Sequence, residues 1–328
     1  MNIALLTLDF PPDYIGGVSA WAKDMAVALH GAGHTVTVFA KHTGDTRDHD
    51  AALPFRVRRV RGRAWSRWGG WWMRLALFGK LRRFDQVLCA TWPLAQRLPR
   101  IRRLGVAVHG SEITCLETAP LGLRRLAQTT YAWFPVSRFL ASELHRLQLD
   151  CRRINVLPMP LLTDAGAAPA RGQHLVCVAR NTTRKGIDRA IKIAEATCRP
   201  ITLIGATNAP PLGEALGELS RAETLERIRT AKAIVLTPRT YADGRGAEGL
   251  GLCFLEAASM AVPSIGCDVG GVPEAIGPGL LLSDPDRPDG EAINAWLEEA
   301  NQGERAQSWL RKNHGPRRAV AAMQRGLQ

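Results

Sequence analysis

No run of eighteen apolar residues occurs in the chain, so a membrane-spanning helix is not expected. The N-terminus, MNIALLTLDFPP, has no basic region ahead of its apolar run, and Asp9 and Pro11 cut that run short. It reads as a first β-strand and not as a secretion signal. The seven cysteines form no Cys-x-x-Cys pair. An odd number without a framework argues against a disulfide scaffold and for reduced thiols in a cytosolic setting. No Gly-x-Gly-x-x-Gly fingerprint follows the first strand, which weakens a nicotinamide reading. No tandem repeat of solenoid period is visible either. What is present is an ordinary globular composition, 46% hydrophobic and 22% charged over 328 residues. That length suits two domains of roughly 150 residues, each able to bury its own core.

The positive charge is local. Residues 56–103 hold 14 Lys and Arg against one acid, Asp85, which accounts for the whole formal charge of +13. The same stretch carries Trp65, Trp68, Trp71, Trp72 and Trp92. Tryptophan favours headgroup depth, and Arg and Lys attract anionic lipid, so residues 56–83 read as a surface for an anionic membrane. Arginine and aromatics can also stack nucleic-acid bases, which makes nucleic acid the rival partner. A third reading packs some of these tryptophans in the core.

Short apolar runs alternate with helical patterns along both halves, the mark of a parallel α/β sheet. The first half reads as strands at Ile3–Leu8, Thr35–Ala40, Phe55–Val60, Gln86–Ala90, Gly105–His109, Trp133–Val136 and Ile154–Leu157. Helices are expected over Val18–Leu29 and from Ser137. The stretch from Pro158-Met159-Pro160 to Gly172 lacks periodicity and reads as a linker. The second half repeats the pattern, with strands at His174–Ala179, Ile201–Gly205, Ala233–Thr237 and Val262–Gly266. Its helices are expected over Ile187–Ala196, Arg221–Ala231 and Leu252–Met260. The expected division is a domain over 1–157, a linker over 158–172, a second domain over 173–305 and a helical tail over 306–328. Two such halves make a cleft, and ligands of such sheets bind outside the carboxyl ends of the strands.

Four groups of residues sit at those ends. Gly16-Gly17 follows the first strand and lets backbone approach a ligand closely; a plain turn is the alternative. His109-Gly110 ends another strand, in HGSE, where a lone histidine could equally be structural and Glu112 reads by default as a surface residue. Arg180 and Lys185 lie in one polar loop before a helix and can both face one pyrophosphate, Arg as a planar fork and Lys as a point charge. Arg184 is an extra cation without an assigned role. Finally, Glu248 and Glu256 frame EGLGLCFLE, followed by Gly270-Gly271-Val272-Pro273-Glu274. Half-buried carboxylates need donors, and a glycine-broken loop of free amides at a helix start needs an anion. A nucleotide sugar supplies hydroxyls for the first and a pyrophosphate for the second.

Together these elements resemble, in order and spacing, the retaining glycosyltransferases of the GT-B fold, specifically glycosyltransferase family 4. LDFPPDYIGGVSAWAKDMAVALHGAGHTVTVF is similar to that family's opening segment, and VSRFLASEL at Val136–Leu144 extends the likeness. The resemblance implies a GT-B fold, two Rossmann-like domains facing across a cleft, the first holding the acceptor and the second the nucleotide sugar. It implies that the tail returns to the first domain. It implies that Gly16 and Gly17 touch the donor phosphates and the acceptor, and that His109 contacts the transferred sugar. Arg180 and Lys185 would neutralise the leaving diphosphate. Glu248 would lie by the sugar ring and Glu256 on the ribose hydroxyls, with the amides of Leu250, Gly251 and Leu252 near phosphate or sugar oxygens. Three departures stand out: Pro158-Met159-Pro160 in place of the usual Pro-Asn-Gly, a short segment between Gly205 and Arg221, and Ala261 in place of a common glycine.

The expectation is a retaining hexosyltransferase that uses a nucleoside-diphosphate sugar as substrate. No cofactor is expected, and no metal, because no Asp-x-Asp lies near the donor motifs and cations and amides would stabilise the diphosphate. Its acceptor would be lipid-linked or a glycan, in envelope or extracellular polysaccharide synthesis, at the cytoplasmic face of the cell membrane. No nucleic acid is expected as partner. The alternatives are a basic nucleic-acid-binding protein and a nucleotide-sugar-binding scaffold without catalysis.

Overall fold

Among the described residues, twelve parallel strands form two separate six-stranded sheets. The computed structural model describes residues 1–12, 16–42, 44–60, 77, 79–161 and 172–328. The chain divides into one unit of Met1–Leu162 with His314–Gln328 and a second of Thr163–Asn313. Trp65, Trp68, Trp71 and Trp72, and most of the stretch read as a linker, lie outside the described residues.

In the first unit the strands are β1 (Asn2–Leu6), β2 (Thr35–Lys41), β3 (Arg56–Val60), β4 (Gln86–Cys89), β5 (Leu104–Val108) and β6 (Ala132–Pro135), in the order β3-β2-β1-β4-β5-β6. The middle strands are continuous apolar runs because helices cover both faces of such a sheet. Ile3, Ala4 and Leu5 of β1 and Val106, Ala107 and Val108 of β5 are fully buried. The segment Ile154–Leu157, expected as a strand, is reduced to a single bridge, Ile154 with Trp133. Asn155 and Leu157 still donate to the carbonyls of Trp133 and Pro135. The tail is two helices, Gln302–Asn313 in the second unit and Pro316–Leu327 in the first. Gly315-Pro316 separates them. The last helix packs on the Gly17–Gly31 helix, β5 and β6. Its Gly326 leaves the slot that the Phe134 ring fills, since a Cβ there would fall 2.6 Å from that ring.

His314 holds the start of this tail. Its Nδ1 accepts the Met159 amide at 3.2 Å. Burial first, then the charge of Arg318, pull the imidazole down to about 4. An unfolded histidine titrates near 6.5, so the unfolded chain binds the extra proton between these values. The stability from neutral His314 is therefore complete above about pH 6.5 and is lost as pH falls toward 4. A shift of this size corresponds to roughly 3 kcal/mol. The urea midpoint of the wild type should fall more steeply over this range than that of His314→Asn. Parallel curves for the two proteins would remove His314 from the account.

In the second unit the strands are β7 (Leu175–Val178), β8 (Ile201–Ile204), β9 (Gly213–Ala215), β10 (Ala233–Val235), β11 (Ser264–Cys267) and β12 (Leu280–Leu282), in the order β12-β11-β10-β7-β8-β9. The short segment after Gly205 is a helix-free connection to the three-residue edge strand β9. The Arg221–Thr230 helix begins where it does because of a capping box. Ser220 Oγ accepts the Glu223 amide at 3.2 Å, and Glu223 Oε2 accepts the Ser220 amide at 2.9 Å. In each sheet the order reverses direction once, between β1 and β4 and between β10 and β7. The loops at the carboxyl ends of those strands diverge and leave a crevice there.

Candidate active site

In the second unit, three loops from β7, β10 and β11 meet at such a reversal. The β7 loop ends in a tight turn, Thr183–Lys185, closed by Gly186 in the left-handed region at φ +66. Gly186 is required there: a Cβ would fall on the Thr237 carbonyl oxygen, at 2.0 Å. This contact sets the turn against the exit of β10. Arg189, two residues into the following helix, anchors it further through Asp286, which also takes Arg239. The Arg189 guanidinium, with Arg239 behind it, holds the Asp286 carboxyl far below the usual range.

The loop after β10 carries Glu248. Its carbonyl accepts the Gly271 amide at 2.8 Å. A Cβ on Gly271 would lie 2.2 Å from Gly249 O, so the Gly270-Gly271 pair is the bed on which the Glu248–Gly249 backbone rests. Lys185 Nζ then reaches Glu248 Oε2 at 2.5 Å, and Arg184 Nη1 lies 3.8 Å from the same oxygen. Residues 63 positions apart thus meet at one carboxylate. All three side chains are 14–16% exposed, so their charges are only partly screened.

The same loop runs into the Leu252–Ser259 helix. The amides of Leu250, Gly251 and Leu252 find no acceptor among the described residues. Together with the positive end of the helix dipole they form an anion-binding corner. Glu256 is one turn further along this helix and is buried, 8% exposed. Arg221, placed by the capping box, reaches its Oε1 at 3.3 Å. Arg180 stands exposed just beyond β7, and its side chain enters no ion pair among the described residues. The thiols nearby are inert: burial pushes Cys177 up to about 12 and Cys253 higher still.

The first unit contributes different chemistry. Gly16 and Gly17 are exposed at the start of the Gly17–Gly31 helix, where the Gly16 carbonyl accepts the Ala20 amide at 3.0 Å. Residues 13–15 of this loop lie outside the described residues. His109 follows β5. Its ring meets the Trp21 ring edge-on at 4.7 Å between centroids. Burial holds the imidazole below its ordinary range, against the Glu112 carboxylate and the Ala90 backbone, which pull it upward. His109 is therefore neutral near pH 7, and its buried Nε2 has no hydrogen-bond partner among the described residues. Glu112 is no bystander: its Oε1 accepts the His109 amide at 2.5 Å, and its carbonyl accepts Trp92 Nε1 at 2.9 Å.

The structure thus gathers Lys185, Glu248, Leu250, Gly251, Leu252 and Glu256 in one unit and puts His109, Gly16 and Gly17 in the other. Sequence reasoning missed Trp21 and Arg221, took Glu112 by default as a surface residue, and left Arg184 without a role. Only Arg221 had a signal, the Ser220–Glu223 spacing of a capping box. Among the described residues no group of three His, Cys, Asp or Glu side chains is placed to hold a metal ion.

The Glycosyltransferase Family 4 model matches residues 15–164 of the chain. A GDP-mannose-dependent alpha-(1-6)-phosphatidylinositol monomannoside mannosyltransferase of Mycobacterium tuberculosis is 26% identical over 320 residues, covering 84% of this chain and 82% of that protein. Among solved structures, AviGT4, a glycosyltransferase involved in avilamycin A biosynthesis, superposes with a TM-score of 0.71 over 99% of this chain and 98% of its own, at 17% identity. TarM does so with a TM-score of 0.74 over 100% and 98%, at 10% identity. At such identities these two structures speak for the fold alone.

Proposed function

We propose that this GT-B chain is a family 4 glycosyltransferase, a retaining hexosyltransferase moving a hexose from a nucleoside-diphosphate sugar to a lipid-linked or glycan acceptor. The observation that carries this reading is the convergence of Lys185, Glu248 and the unbonded amides of Leu250–Leu252 on one spot at the sheet's reversal. In this reading the amides and Lys185 meet the diphosphate, with Arg180 free to swing onto it. Charge that develops on the leaving oxygen is then met by fixed donors, without a metal. Glu256, held by Arg221, accepts the ribose hydroxyls. Glu248 accepts hydroxyls of the sugar ring. Neutral His109 offers its unpartnered Nε2 as acceptor to a sugar hydroxyl, with the ring orientation fixed by Trp21. Retention follows in this scheme from attack on the face the diphosphate leaves, with no protein nucleophile.

The mannosyltransferase relative makes GDP-mannose the first donor to assay. Turnover is followed as release of the free nucleoside diphosphate from GDP-, UDP- and ADP-sugars, with lipid-linked acceptors and with excess chelator. Release that persists with chelator and retains the anomeric configuration supports the proposal. Inversion, or no turnover of any donor, refutes it.

We also propose that residues 56–83 seat the protein on anionic lipid. Arg56, Arg58, Lys80, Arg82 and Arg83 are exposed, which supports this, whereas Arg59 is not available. Its side chain is 7% exposed, and its guanidinium is paired with Asp50 at 2.7 Å. Each exposed cation near the surface contributes about 1 kcal/mol, so binding should be salt-sensitive. Co-sedimentation with anionic vesicles is expected to exceed that with neutral vesicles and to fall along a salt series. Equal binding to both, or tighter binding to single-stranded nucleic acid, would overturn it.

A further inference from the structure

Lys185 presents a conflict of charge. The ammonium read above as a ligand of the diphosphate lies 2.5 Å from Glu248 Oε2 and is committed to a carboxylate of its own chain. A diphosphate can recruit it only by sharing or displacing that carboxylate. Leaving Glu248, 14% exposed, without a cation is costly.

A second cation is already in place. Arg184 Nη1 donates to Gly246 O at 2.9 Å and lies 3.8 Å from the same Glu248 oxygen. The Arg184 carbonyl accepts the Arg239 amide at 2.7 Å. Arg184 therefore holds both ends of the 239–248 loop. Gly246 sits at φ +74, where a Cβ would fall 2.5 Å from the Tyr241 ring and 3.3 Å from Arg184 Cδ. The Gly246 backbone thus packs closely against both side chains.

We propose that Arg184 is a positioning residue of the donor site: it keeps Glu248 placed and compensated when Lys185 turns from that carboxylate to the diphosphate. The proposal rests on Lys185 being a diphosphate ligand. The two cations divide the task by their chemistry. Lysine is a point charge on a flexible stem and can change partner. Arginine is a planar fork, and one arm is already fixed by Gly246.

The test is calorimetric titration of GDP, UDP and ADP into wild type, Arg184→Ala, Glu248→Gln and the double variant. Arg184→Ala is expected to bind about five- to thirtyfold more weakly, because Lys185 becomes the sole cation on Glu248. Glu248→Gln should bind more tightly than wild type, since it releases Lys185. The double variant should recover to within about threefold of Glu248→Gln. A merely structural role for Arg184 gives a different pattern, because removing the carboxylate cannot restore a lost clamp. A double variant as weak as Arg184→Ala, or Arg184→Ala binding like wild type, overturns the inference. If Arg184→Ala does not fold, Glu248→Gln still decides, and affinity at or below wild type counts against it. Lys185→Ala tests the underlying reading separately. If it binds as tightly as wild type, or if wild type binds none of the three nucleotides, the functional reading fails whatever Arg184 does.

Discussion

Replacing Lys185 with alanine is expected to weaken nucleoside-diphosphate binding by about ten- to hundredfold, the range of one charge-assisted hydrogen bond. The loss comes from the charge itself, so Lys185→Gln should behave like the alanine variant, and added salt should narrow the difference from wild type. Transfer should fall at least as far as binding. The diphosphate bears more charge as it leaves than while it is bound, and the lysine that meets it is absent in both states. Glu248 loses its 2.5 Å partner in this variant. Its sugar contact is then made by a carboxylate that only Arg184, at 3.8 Å, still compensates. Calorimetry with the nucleoside diphosphate and initial rates with the sugar donor check the two halves. Equal affinities for wild type and Lys185→Ala would contradict the assignment.

Gly186→Ala is expected to be among the most damaging single changes in the second unit. A left-handed residue with a Cβ costs about 1–2 kcal/mol by itself. Here the Cβ would also be driven into the Thr237 carbonyl oxygen at 2.0 Å, and that backbone cannot rotate away as a side chain could. The combined cost is roughly 3–5 kcal/mol, which lowers the melting temperature by about 10 °C for a unit of this size. The damage does not stop at stability. Gly186 directly follows Lys185 and begins the helix that carries Arg189, so relief of the clash moves the ammonium away from Glu248. Lost stability and lost nucleotide binding should therefore appear together. In Lys185→Ala the binding loss should dominate. A Gly186→Ala protein that melts with wild type would mean the turn is not built as described.

The central strands were legible because they are buried on both faces, and a doubly buried strand shows as an unbroken apolar run. Glu248 and Glu256 stood out for a related reason: two carboxylates beside a glycine-broken apolar helix are hard to read as a solvated face, and the structure keeps both largely out of solvent. The edge strands of the second sheet left no such trace. Gly213–Ala215 and Leu280–Leu282 are three residues each, and no run that short stands out from a loop. Ile154–Leu157 erred the other way, with apolar residues that are used for one bridge and two hydrogen bonds instead of a full ladder. The cations were harder still. Arg221 finds Glu256 across 35 positions and Arg184 finds Gly246 across 62. Pairings of that span follow from where the loops end up and impose no periodicity on the sequence. Glu112 looked like a surface residue because a carboxylate that accepts a single backbone amide has no signature beyond proximity.

The order in which the ribosome makes this chain does not match the order in which its first sheet can be finished. Phe134 emerges early, yet the helix that closes over it, Pro316–Leu327, comes after the whole second unit has been made. A nascent first unit must wait with that apolar face open while some 150 residues of the second unit are synthesised. Its completion is a late event, and a stop codon just after Asn313 would harm the beginning of the protein more than the part it immediately follows.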